Sequence, residues 1–141
     1  MTHRHRNLLL GSASAVAVAA LSGCTFFQDT FQVGQREFTY DTAAEADASG
    51  EAFRFQGFLP DDATDVRLIA QLDGDESVMR WTSPTPFRSE HCTAEAITTE
   101  PEIDADWLPE TLPSDGFACG TSWVVVRDGD TQYAWNSPGE T

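Results

Sequence analysis

The sequence predicts a small single domain of α+β class, mostly antiparallel β and carrying one disulfide, and three observations predict it. Five segments between residues 51 and 136 alternate apolar and polar residues, the period of half-buried strands. Two Asp-Gly pairs, Asp73-Gly74 and Asp128-Gly129, interrupt such segments where a tight hairpin turn is expected. Cys92 and Cys119 flank a long aperiodic stretch, which a bridge between them would pin.

Taken in order, residues 24–50 read as a tether, although Phe26, Phe27, Phe31 and Phe38 are more apolar than a solvated linker requires. Within it, Thr42 followed by Glu45 forms a capping-box pattern for a short helix ended by Gly50. "EAFRFQGF" alternates with Phe53 and Phe55 on one face and is expected to be a strand, broken at Pro60. In "TDVRLIAQL", Val66, Leu68, Ala70 and Leu72 alternate with Arg67, Ile69 and Gln71, and Asp73-Gly74 then turns the chain into "SVMRWT". Pro84 and Pro86 stop that strand, since proline cannot donate to a ladder.

Ser89 is expected to cap a helical turn through "EHCTAEAI", and an acidic loop with Pro101, Pro109 and Pro113 follows. Closing this loop through Cys92 and Cys119 would constrain the unfolded chain by roughly 3 to 4 kcal/mol. In "TSWVVVRDGDTQYAWNS", a two-residue turn at Asp128-Gly129 or Gly129-Asp130 puts Val124 and Val126 on one face with Tyr133 and Trp135. Trp123 and Val125 then point the other way, which requires burial on both sides or an exposed tryptophan. The β-rich domain is therefore expected over 51–136, with a tail at 137–141.

Ahead of the tether, Arg4 and Arg6 precede an uncharged run over 8–21 that is too short to span a bilayer and fits the apolar core of an export signal. The run ends in Leu21-Ser22-Gly23-Cys24, which resembles the lipobox of bacterial lipoproteins. The resemblance implies cleavage after residue 23, a diacylglyceryl group on Cys24, and a mature protein on the outer face of the cell membrane. At least two acyl chains on Cys24 would suffice for stable anchoring. Because His5 splits Arg4 from Arg6, the twin-arginine pattern is not matched and the general secretory route is expected. "LPDDATDV" resembles a Leu-Pro-x-x-Ala-x-x-Val pattern in small lipoproteins of high-GC Gram-positive bacteria, and no functional residue is carried over from it.

Charge narrows the partners. The chain has a net charge of −15, and loss of 1–23 would leave six arginines against 23 acids, a net charge of −17. Nucleic acid and anionic headgroups would be repelled, so the acyl chains rather than a basic patch must hold the protein to the membrane. The acidity, with no lysine anywhere, fits either a high-GC genome or adaptation to high salt. Lack of lysine excludes a Schiff base, a phosphate-loop lysine and a serine-lysine dyad, and His91 alone after residue 23 excludes a multi-histidine zinc site. No cofactor is implied.

Candidate residues remain few. His91 beside Cys92 offers a thiol and a base, but sequence neighbours point apart and a disulfide removes the thiolate. Carboxylates cluster at Asp61 and Asp62, at Asp73, Asp75 and Glu76, at Glu100, Glu102, Asp104 and Asp106, and at Asp128 and Asp130. Turns alone favour aspartate, and the third group suits a solvated acidic loop better than a divalent-ion site. Trp81, Trp107, Trp123, Tyr133 and Trp135 are either core or a stacking platform for wall sugar or peptide. Trp107, isolated in the acidic loop, either plugs the core or waits for a partner, and it is the candidate contact residue for a protein partner or cationic ligand. The expected role is a non-catalytic binding or envelope-maintenance module with a protein or cell-wall partner. The alternative is a small cell-surface hydrolase using a carboxylate pair.

Overall fold

The structure, a computed structural model, describes residues 34–136. The lipobox with Cys24, the segment before it and the tail at 137–141 lie outside the described residues. Seven strands form one antiparallel sheet: β1 (Gln35–Thr42), β2 (Thr64–Gln71), β3 (Ser77–Thr82), β4 (Cys92–Ala96), β5 (Asp115–Cys119), β6 (Trp123–Asp128) and β7 (Thr131–Asn136). Their order across the sheet is β1-β2-β3-β7-β6-β5-β4, so β1 and β4 are the edges.

Where alternation is strong, strands form as expected. Val66, Leu68 and Ala70 of β2 are fully buried on one face, while Arg67, Ile69 and Gln71 lie on the other. The β2–β3 hairpin turns at residues 72–76, and Asn136 clamps it by accepting from Ser77 N at 2.6 Å and donating to Asp75 O at 2.6 Å. In the β6–β7 hairpin Val124 opposes Trp135 and Val126 opposes Tyr133, with Gly129 and Asp130 as the two loop residues. Gly129 has φ 60, the left-handed value a two-residue hairpin turn asks of its first residue.

Both faces of the sheet are covered. On the first, Leu68, Met79, Trp81, Val125 and Ala134 pack under Ala43, Ala46, Phe55, Phe58 and Phe87. On the second, Val78, Val126, Tyr133 and Trp135 pack under Ile103 and Trp107 of the acidic loop. Trp123 and Val125 consequently reach the first core while Val124 and Val126 reach the second, so neither tryptophan of this hairpin is stranded in water.

The folded part begins earlier than residue 51, because β1 runs through the stretch expected to be a tether. Only Phe38 and Tyr40 face the core, opposite Leu68 and Val66, so an edge strand of otherwise polar residues shows little periodicity. The short helix α1 (Ala43–Asp47) follows, with Thr42 Oγ1 accepting from Glu45 N at 3.3 Å. Glu45 reaches back to Asp41 N at 3.0 Å, and the helix stops at Ala48, short of Gly50.

Two expected elements differ. "EAFRFQGF" is not a strand but a 3-10 helix, Ala52–Phe55, followed by left-handed Gln56 and Gly57. Phe55 and Phe58, three residues apart, are the buried pair, while Phe53 is 66% exposed beneath the Arg54 guanidinium. Leu72, the last apolar residue of the alternation in "TDVRLIAQL", also lies outside its strand and is exposed. The helical turn expected after Ser89 is instead edge strand β4. Ser89 does cap a turn, its Oγ accepting from His91 N at 3.3 Å and its carbonyl from Cys92 N at 3.3 Å. Pairing with β5 then holds Cys92–Ala96 extended, and mostly exposed residues hide any apolar alternation.

One bulge interrupts the β2–β3 register between Thr64 and Arg67. Asp65 occupies it at φ 49, a conformation aspartate tolerates better than most residues. Its carboxylate takes hydrogen bonds from Arg67 at 3.3 Å and from Arg80, two cations that face each other across the strands. The bulge thus places an acid between like charges that would otherwise repel.

Candidate functional site: a neutral cleft beside the disulfide

Cys92 opens β4 and Cys119 closes β5, and their register makes them direct cross-strand partners. They form a disulfide with Cα atoms 4.1 Å apart, the bridge expected of the two cysteines that remain after Cys24. Since both sulfurs are joined, Cys92 has no thiolate for His91 to activate. After Cys119 the chain reverses through Gly120, Thr121 and Ser122 into β6, with Gly120 at φ 62.

This reversal, the turn at Ser89 and the Gln56-Gly57 turn close on a cleft of about 370 Å³. That volume lies within the ~300–1,000 Å³ usual for small-ligand sites. Its apolar side consists of Phe58, Trp123 and the disulfide, with the Phe58 and Trp123 rings edge to face at 5.5 Å. Its polar side consists of Gln56, Ser89, His91, Thr121 and Ser122. Gln56 is held at φ 54, and its Nε2 donates to Phe53 O at 3.0 Å, which leaves the amide oxygen for another partner. No aspartate, glutamate or arginine lines the cleft, although acids crowd the rest of the chain.

The other candidates fall elsewhere. Trp107 is 9% exposed, packs with Ile103 against the second face, and donates from Nε1 to Glu37 Oε1 at 3.2 Å. Of its two expected placements, it has the core plug. A cavity of about 180 Å³ near it is lined by Glu37, Asp104 and Asp106 together with Arg36, and is smaller than most ligand sites. A larger space of about 480 Å³ lies inside the acidic loop itself, between residues 97–101 and 109–114. Among the described residues, no three His, Cys, Asp or Glu side chains are grouped to hold a metal ion.

Two of the turn carboxylates, Asp62 and Asp130, have structural partners. Asp62 accepts from Ser83 Oγ and, at 2.7 Å, from Thr85 Oγ1, bracing the segment after β3. These two hydrogen bonds, Ser83 first, hold its carboxyl below the usual carboxylate range because they favour the charged form. Asp130 pairs with Arg127 at 3.2 Å across the β6–β7 turn.

Sequence reasoning located Cys92, Cys119, His91 and Trp123 but did not bring them together with Gln56 and Phe58. The one local signal was the period of three linking Phe55 to Phe58. No protein-family model, curated protein or solved structure matches the chain.

Proposed function

We propose that the chain is an extracytoplasmic lipoprotein, anchored through an acylated Cys24, whose β-rich domain is a non-catalytic binding module. One observation carries the reading: a lipobox-like Leu21-Ser22-Gly23-Cys24 precedes a domain whose two remaining cysteines are bridged. Disulfides persist outside the reducing cytoplasm, so anchor and bridge call for the same compartment. With the fold starting at Gln35, ten residues separate it from Cys24, a reach of at most about 35 Å when fully extended. The acidic domain would thus stand close to the bilayer, held by lipid and repelled by anionic headgroups. The alternative, a small surface hydrolase working with a carboxylate pair, draws support from the acid-lined cavity at Glu37, Asp104 and Asp106.

Phase separation in a cloud-point detergent tests the anchor. The wild type is expected in the detergent phase and Cys24→Ala in the aqueous phase; recovery of both in the aqueous phase would end the proposal.

A further inference from the structure

We propose that the cleft beside the Cys92–Cys119 disulfide binds a neutral glycan chain, one sugar ring resting on Trp123. This deepens the binding-module reading and rests on it. Among the described residues, Trp81 and Trp135 are each 1% exposed and Trp107 is 9% exposed, whereas Trp123 is half-buried and lines a cleft. An aromatic ring left partly open, backed by Phe58 and the disulfide, offers an apolar floor to the C–H face of a pyranose. Around it Gln56, Ser89, His91, Thr121 and Ser122 supply donors and acceptors without a fixed charge, the chemistry that recognises hydroxyl and acetamido groups.

Charge and backbone at the cleft favour a neutral ligand over the competing classes. An anionic polymer would meet a chain of net charge −15 with no arginine in the cleft to receive it. A cationic peptide would find no carboxylate there. At the cleft itself the Cys92 N–H already donates to Ser89 O at 3.3 Å and is not offered to an added peptide strand. Gln56, at left-handed φ with its amide nitrogen tied to Phe53 O, presents its oxygen at little cost in side-chain freedom.

The placement of the tryptophans supplies the assay. Full-length protein in detergent micelles is titrated with β-1,4-linked tetramers of glucose and of N-acetylglucosamine, following intrinsic fluorescence and, in parallel, calorimetry. A saturable response to at least one of them is expected, retained in Trp107→Phe and weakened about tenfold in Trp123→Leu. Because Trp123 also packs on Phe58, Gln56→Ala and Thr121→Ala at the exposed rim serve as second variants, each expected to weaken binding severalfold with an unchanged melting temperature. Absence of a saturable response from either oligosaccharide up to about 10 mM, or equal affinity in wild type, Trp123→Leu and the rim variants, overturns the proposal. A crosslink from position 121 to a protein partner, without a glycan response, overturns the glycan assignment and leaves the binding-module reading standing.

Discussion

Asp62 shows how a single exposed side chain can report on the fold. Its carboxylate accepts from Ser83 Oγ and Thr85 Oγ1, and Ser83 is itself fully buried. A carboxyl whose pKa is lowered in the folded state contributes stability that is present above its unfolded value near 3.8 and is lost as pH falls through the lower folded value. Asp62→Asn is therefore expected to be less stable than wild type at neutral pH, and the difference should vanish in strong acid. Urea midpoints of both proteins between neutral and acid pH measure this; a difference that stays constant would mean the charge is not what Ser83 and Thr85 hold. Nothing in the sequence separated Asp62 from Asp61, because its partners lie 21 and 23 residues away. The cleft was equally hidden, since the left-handed turn at Gln56 that brings it to Trp123 leaves no mark in composition.

At the scale of elements, the segment from Glu51 to Phe58 separates two periods that look alike over a few residues. Alternation would bury Phe53 with Phe55; the 3-10 helix buries Phe55 with Phe58 and leaves Phe53 under Arg54. Phe55→Ala is accordingly expected to cost about 3 to 5 kcal/mol. Phe53→Ala removes an exposed ring and one cation-π contact, so its cost should stay below about 1 kcal/mol. Denaturant unfolding of the two variants decides the matter, and equal losses would restore the strand. Strands β2, β3, β6 and β7 were legible because each is rich in residues that enter a core and is bounded by an Asp-Gly turn. Edge strands β1 and β4 were not, since they bury at most a residue or two and owe their conformation to the neighbours that pair with them.

For the whole molecule, charge sets a cost that packing must meet. A net charge of −15 on 141 residues makes the folded state self-repelling. Sodium chloride shortens the screening length from about 30 Å at 0.01 M to about 3 Å at 1 M. The melting temperature is expected to rise over that range and then level off, which calorimetric scans would follow. A flat or falling curve would show that repulsion between the acids does not limit the stability of this fold. Covering the sheet on both faces meets that cost: α1, the 3-10 helix and Phe87 close one side, the acidic loop closes the other, and the disulfide joins β4 to β5 at the end of the pair opposite that loop.

By itself the sequence determined the mostly antiparallel β character, the two hairpins at Asp-Gly, the pairing of Cys92 with Cys119 and the net charge, because these rest on local periodicity, turn chemistry and composition. Tertiary structure alone decided that β1 and β4 are strands, that Trp107 is a plug bonded to Glu37, and that Gln56, Phe58 and Trp123 share a cleft. Each of those outcomes depends on contacts between residues far apart in the chain, and a contact of that kind leaves no periodic trace at either of its ends.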